Sequence, residues 1–195
     1  MVYSFAHFIT WLFFSTIYRV KASGLEHIPQ HGAVIVCCNH ISTLDPPLLG
    51  TPLKRKIHYM AKAELFRFPG LAWLLLQLGA FPVKRGGVSK DAIKRSLELL
   101  KDGKVIGVFP EGTRNRPDEP GKKGAASLAL KSGATVIPAA IIGRYSLFRT
   151  IRIIYGKPID LSGFADGGST SDALEQATEK IMSEIRKLIT GHELK

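Results

Sequence analysis

The feature that most constrains this chain is a repeated exchange between short apolar runs and longer stretches with helical spacing. Residues 33–38 are a continuous apolar run, and 57–61, 105–109 and 135–142 read as further strands of the same kind. Between them lie helical patterns. Residues 64–78 are mostly apolar and broken early by Pro69 and Gly70. Residues 89–101 start on a serine, place Ile93, Leu97 and Leu100 on one face and stop at Gly103, and residues 122–131 form a short third pattern. Strands apolar on both faces need cover on both sides, so the alternation predicts an α/β fold whose largely parallel or mixed sheet is flanked by helices. Residues 150–154 add a strand ended by Gly156 and Pro158, and 162–171 read as a loop. Leu174, Ile181, Ile185 and Leu188 mark an amphipathic closing helix. With 195 residues, one domain of ordinary size accounts for the chain after an N-terminal segment: 1–21 as a membrane-associating piece and 22–195 as the folded body.

The net charge of +11 points to an anionic partner: nucleic acid, a membrane surface, or a phosphorylated or acidic substrate. Its distribution is informative. The first eighteen residues carry no charged side chain yet hold seven of the seventeen aromatics, Tyr3, Phe5, Phe8, Trp11, Phe13, Phe14 and Tyr18. As a helix this stretch is about 25 Å long, short of the roughly 30 Å hydrocarbon core, and Ser4, His7, Thr10 and Ser15 interrupt it. Trp and Tyr favour the headgroup level, and Arg19 and Lys21 follow as they do on a cytoplasmic leaflet, so an interfacial membrane helix is expected. The competing reading is a helix packed on the protein's own core. No basic region precedes the apolar stretch, which disfavours a signal peptide. Aromatics are not interleaved with the basic residues, which disfavours nucleic acid. Two adjacent cysteines, Cys37 and Cys38, provide neither a disulfide framework nor a zinc pair, so a reduced, metal-free, cytosolic setting is expected.

Three unusual segments fall where strands end, the place where open α/β sheets build their sites. After the 33–38 run come Asn39, His40 and, five residues beyond the histidine, Asp45. An imidazole oriented by a carboxylate is a general base; the bland alternative makes Asp45 the N-cap of a helix starting at Pro46. The second segment, 79–87, places Lys84 and Arg85 beside Gly86 and Gly87, either a phosphate cradle or a solvated turn. The third, 109–114, carries Glu111, Gly112, Thr113 and Arg114, able to hold a polyol and its phosphate or to close a loop by an internal ion pair. Lys62 also follows a strand, as an anion contact or a surface charge. Cys38, two residues before His40, invites a thiol nucleophile, although a free cysteine ending a buried strand is usually inert.

Taken together and in order, these segments resemble the glycerolipid acyltransferase family, in particular its small bacterial-type lysophosphatidate acyltransferases. Asn39, His40 and Asp45 match its N-H-x-x-x-x-D block. Residues 79–86 match G-x-F-P-V-x-R-G, 109–114 match F-P-E-G-T-R, and Val136, Ile137 and Pro138 match an apolar strand ending in proline. The resemblance covers about residues 20–159. It implies that His40 takes the proton of the sn-2 hydroxyl of 1-acyl-sn-glycerol 3-phosphate while Asp45 holds the ring. That oxygen then attacks an acyl thioester directly, and the product is phosphatidate. Lys62, Lys84, Arg85, Glu111, Gly112, Thr113 and Arg114 would bind the substrate, with Arg85, Glu111, Thr113 and Arg114 on the glycerol phosphate and backbone N–H groups near His40, or Lys62, facing the oxyanion. No metal or cofactor is implied; acyl carrier protein or coenzyme A carries the acyl group. The expected partners are lysophosphatidate, that carrier and an anionic membrane, with no nucleic acid and the oligomeric state left open. The expected place is the cytoplasmic face of the cell membrane, peripheral or monotopic. The basic residues Lys54, Arg55, Lys56, Lys90, Lys94 and Arg95 are available to face lipid or carrier. Acylation of another acceptor, such as glycerol 3-phosphate or a different lysolipid, is the alternative, followed by a basic membrane-binding protein without catalysis.

Overall fold

The computed structural model describes residues 2–83, 90–112, 121–164 and 170–193. Helix α1 (Val2–Ile17) leads into β1 (Arg19–Ser23), β2 (Val34–Cys38), α2 (Asp45–Gly50), β3 (Ile57–Lys62), α3 (Pro69–Gln77) and β4 (Ala80–Val83). Then come α4 (Lys90–Lys101), β5 (Val105–Val108), α5 (Gly124–Ser132), β6 (Thr135–Gly143), β7 (Thr150–Tyr155) and α6 (Ser171–Glu193). The seven strands form one sheet in the order β1-β7-β6-β2-β5-β3-β4. Every neighbouring pair is parallel except β6 and β7, which makes the sheet mixed. The carboxyl ends of β2, β3, β4, β5 and β6 therefore share one end of the molecule, with the amino ends of β1 and β7 beside them.

Side-chain alternation divides the core into two layers. Val34, Val36 and Cys38 of β2 face one layer with Ile137, Ala139 and Ile141 of β6, under Phe14 of α1 and Leu48 and Leu49 of α2. Ile35 and Cys37 face the other, with Ile106 and Val108, under Leu99 and Leu100 of α4, Leu128 of α5 and Ile181 and Ile185 of α6. Each such aliphatic side chain stabilises the fold by about 1.5–3 kcal/mol relative to exposure. This is why the 33–38 run is apolar without alternation.

Helix α1 is built inside out. Its inward stripe is Tyr3, Ala6, His7, Thr10, Phe14 and Ile17, whereas Phe5, Phe8, Ile9, Trp11, Leu12 and Phe13 are exposed. Thr10 donates to the Ala6 carbonyl, at 2.8 Å, and Thr16 to that of Leu12, so both hydroxyls are satisfied within the helix. His7 and Thr10, which interrupt the apolar run in sequence, thus lie on the protein side. Phe14 is fully buried and Tyr18 packs edge-on against Tyr145. The expected division after residue 21 falls within β1.

One local expectation needs correction, that for Arg55, and two others gain a structural setting. The 79–87 segment begins as an edge strand, β4, in which Pro82 is tolerated because it sits at the sheet margin. Arg55 does not face lipid or carrier: its guanidinium donates to the carbonyls of Pro29, Gly32 and Gly103 at 2.6–2.7 Å, clamping the loops that enter β2 and β5. Lys90, Lys94 and Arg95 lie on α4, in the layer opposite α1.

Gly107 in β5 has a tertiary reason to be glycine, because a Cβ there would stand 2.2 Å from Cε1 of Tyr59. Gly107→Ala should destabilise the protein by about 1–3 kcal/mol through overpacking, read from urea denaturation, and a midpoint unchanged from the parent would refute this packing role.

Candidate active site

The chain past β2 turns sharply, and the turn is organised by a single carboxylate. Asp45 is 0% exposed. Its Oδ2 accepts from His40 Nδ1 at 2.7 Å, from the Ile41 N–H at 2.6 Å and from the Ser42 N–H at 2.7 Å; its Oδ1 accepts from the Tyr145 hydroxyl at 2.6 Å. Asp45 is thus the first residue of α2 but not its cap, because its donors lie upstream, and the N-cap reading is replaced by that of a turn-organising acceptor. The carboxylate fixes the proton of His40 on Nδ1, which leaves Nε2 with its lone pair and no hydrogen bond among the described residues. The ring is stacked on Phe109, centroids 4.4 Å apart, and Phe109 in turn on Tyr59 at 6.4 Å.

Asn39 anchors the base of this turn. It is buried, and its amide donates to the Ile141 carbonyl at 3.0 Å and accepts from the Ile141 N–H at 2.8 Å, extending the β2–β6 ladder by one side chain where the main chain has left it. Glu111, three residues past β5, is only 4% exposed and accepts from the His40 N–H at 3.4 Å. Burial lifts its carboxyl above the ordinary range, offset in part by that N–H and by the His40 ring. Gly112 adopts φ +67, a left-handed turn that favours glycine, and the Lys122 side chain lies over it. Lys62 ends β3, exposed, at the same end of the sheet. Lys84, Arg85, Thr113 and Arg114 lie outside the described residues.

The backbone N–H groups of His40, Ile41 and Ser42 are all occupied, by Glu111 and Asp45, so the expected oxyanion donors near His40 are not free. The Cys38 thiol is fully buried and raised well above its ordinary pKa, chiefly by burial and further by Asp45 and Glu111, which disfavours thiolate chemistry. Sequence reasoning missed Tyr145, 100 residues from Asp45, and gave Asn39 no role beyond its block. Nothing local marks Tyr145; the signal for Asn39 was its place directly after a buried strand.

A carboxylate-held histidine, a buried glutamate beside it and a glycine turn thus meet at the carboxyl strand ends of a mixed α/β sheet. Sequence and structural relatives give it its class: residues 19–142 match the Acyltransferase family model, and the chain belongs to that family. It is 35% identical to a 1-acyl-sn-glycerol-3-phosphate acyltransferase of Bacillus subtilis, over 87% of each chain. It is 32% identical to the chloroplastic enzyme LPAT1 of Arabidopsis thaliana, over 91% of this chain and 53% of that one. The crystal structure of the 1-acyl-sn-glycerophosphate acyltransferase PlsC of Thermotoga maritima superposes with a TM-score of 0.70 at 28% identity, covering 96% of this chain and 78% of that one.

Because the folded protein holds the Glu111 proton to higher pH than the unfolded chain does, its contribution to stability is full below the ordinary value of 4.5 and fades as pH rises through the raised value. Glu111→Gln removes this term. The Tm of the variant should therefore gain on that of the parent as pH is raised from acid to neutral, in paired thermal melts; a difference that stays flat would contradict the raised, buried carboxyl.

Proposed function

We propose that this chain transfers a fatty acyl group from an acyl thioester to the sn-2 hydroxyl of 1-acyl-sn-glycerol 3-phosphate, giving phosphatidate for phospholipid synthesis. The observation that carries the reading is the His40–Asp45 pair, with Nδ1 held and Nε2 unoccupied. Nε2 takes the hydroxyl proton as the oxygen attacks the thioester carbonyl. The tetrahedral intermediate then collapses, the C–S bond breaks, and the imidazolium returns its proton to the departing thiolate. No acyl-enzyme forms, consistent with the buried Cys38 thiol. Asp45 stabilises the imidazolium, and Tyr145 holds Asp45 from the far side.

In this reading Arg85, Glu111, Thr113 and Arg114 hold the glycerol phosphate, Lys84 and Gly112 add to the same substrate site, and Lys62 is left as the oxyanion contact. The names of the relatives support the acceptor. Acyl carrier protein or coenzyme A is the proposed carrier.

The substrate is an amphiphile, and two helices support work at the surface of a membrane. No described helix is long and apolar enough to cross one. Helix α1 turns its aromatic face outward, and α3, which packs beside it, has no charged residue and no buried one; Trp73 is 53% and Leu76 53% exposed. A helix apolar all round belongs in a core or in lipid, and α3 is not in the core. Helix α1 thus acts as the membrane-associating segment, and the acyltransferase body begins with β1. Because Phe14 and Tyr18 belong to the core, membrane association is tested by outward substitutions and not by deletion. Phe5→Ser with Trp11→Ser should release the protein from sedimenting lipid vesicles without lowering its Tm, and full retention on the vesicles would remove α1 from the docking face.

His40→Ala should lower acyl transfer to lysophosphatidate by about 10²–10⁴-fold, with the fold retained. The assay uses labelled thioesters of each carrier, offers lysophosphatidate, glycerol 3-phosphate and other lysolipids, and locates the new ester. Activity within tenfold of the parent ends the base assignment, and preference for another acceptor selects the alternative reading.

A further inference from the structure

The turn between β6 and β7 carries a feature that acyl transfer does not use. A cavity of about 520 Å³ opens there, lined by Arg19, Arg144, Ser146, Phe148, Arg149 and Thr150. The three arginines meet only in the folded chain. The parallel register pairs Arg19 of β1 with Thr150 of β7, and the turn from Arg144 to Arg149 is closed by Ser146 N–H to Arg144 O, 2.8 Å, and Arg149 N–H to Ser146 O, 3.1 Å. None of the three guanidiniums makes a hydrogen bond or ion pair among the described residues, and no carboxylate of those residues lines the cavity. Three planar cations lining one cavity, with no counter-charge among the described residues, fit a phosphate, which guanidinium groups bind through paired N–H donors.

The apolar neighbours decide the source of that phosphate. Leu147 and Phe148, between the arginines, are 69% and 67% exposed. Phe148 holds φ +59, a left-handed conformation unfavourable for a bulky residue. Its N–H donates to the Ile17 carbonyl at 2.8 Å, which fastens the turn to the end of α1, the helix that carries the bare aromatic face. We propose that Arg19, Arg144 and Arg149 form a site for the phosphate of an anionic phospholipid of the bilayer, separate from the reacting lysolipid, with Leu147 and Phe148 dipping into its acyl region. A free phosphate would have no use for the apolar tip. The proposal rests on the membrane reading given above.

The test is binding of the full chain to phosphatidylcholine vesicles with and without phosphatidylglycerol. A surface arginine contributes about fivefold to partitioning onto an anionic membrane. Arg144→Gln with Arg149→Gln should therefore weaken binding to phosphatidylglycerol-containing vesicles by about 25-fold and leave binding to phosphatidylcholine unchanged. The charge-matched control is Lys101→Gln with Lys131→Gln, on the opposite layer, and should bind as the parent does. A double arginine variant that binds like the parent, or a control that loses as much, overturns the site while leaving the membrane reading standing. A parent that binds neither vesicle removes the membrane reading and this site with it.

Discussion

A single buried carboxylate organises the working end of the molecule. Asp45 accepts four hydrogen bonds from donors on two stretches of chain: the His40 ring with the Ile41 and Ser42 N–H groups, and the Tyr145 hydroxyl. Taking a carboxylate out of water is costly unless its oxygens are satisfied, so the turn after β2 and the loop after β6 must both arrive in register. The tautomer of His40, the direction in which the chain enters α2 and the seat of Tyr145 follow from that requirement. Asn39 makes it reachable, because its two bonds to Ile141 hold β2 against β6 at the point from which the turn departs.

The same loop after β6 links the chemistry to the surface. Tyr145 meets Tyr18 edge-on, Tyr18 lies beside Phe14, and both belong to the segment that presents the aromatic face of α1. The usual arrangement of a surface helix is reversed there, with Ala6, His7 and Thr10 inward and Phe5, Phe8 and Trp11 outward. In water alone this order would waste apolar area; beside a bilayer it places both faces in suitable surroundings. An enzyme whose acceptor is an amphiphile gains from such an arrangement, since the lipid reaches the base without its chain crossing water.

Much of the sheet was legible in the sequence because fully buried strands cannot carry polar residues: 33–38, 105–109 and 135–142 match β2, β5 and β6 within a residue. The histidine and aspartate were legible because a turn of five residues is a local object. Strands β1 and β4 were not. Arg19–Ser23 is mostly exposed, and Ala80–Val83 contains a proline, so neither bears the apolar signature; each is a strand because a neighbouring edge offers it hydrogen bonds. Likewise Arg55, in a run of three basic residues, reads as solvated charge until three carbonyls from two distant loops converge on it.

The sequence by itself determined the layered α/β class, the local His40–Asp45 pairing, the aromatic, uncharged opening and the family to which the chain belongs. These depend on composition and spacing within a few residues, where chain connectivity already brings the groups together. Only the tertiary structure decided that Tyr145 completes the carboxylate's partners, that Asn39 staples the turn to β6, that α1 faces its aromatics outward, and that Arg19 joins Arg144 and Arg149. Each joins residues a hundred or more positions apart, or sets which side of a helix meets the core, and strand order and packing bring these about while local pattern does not.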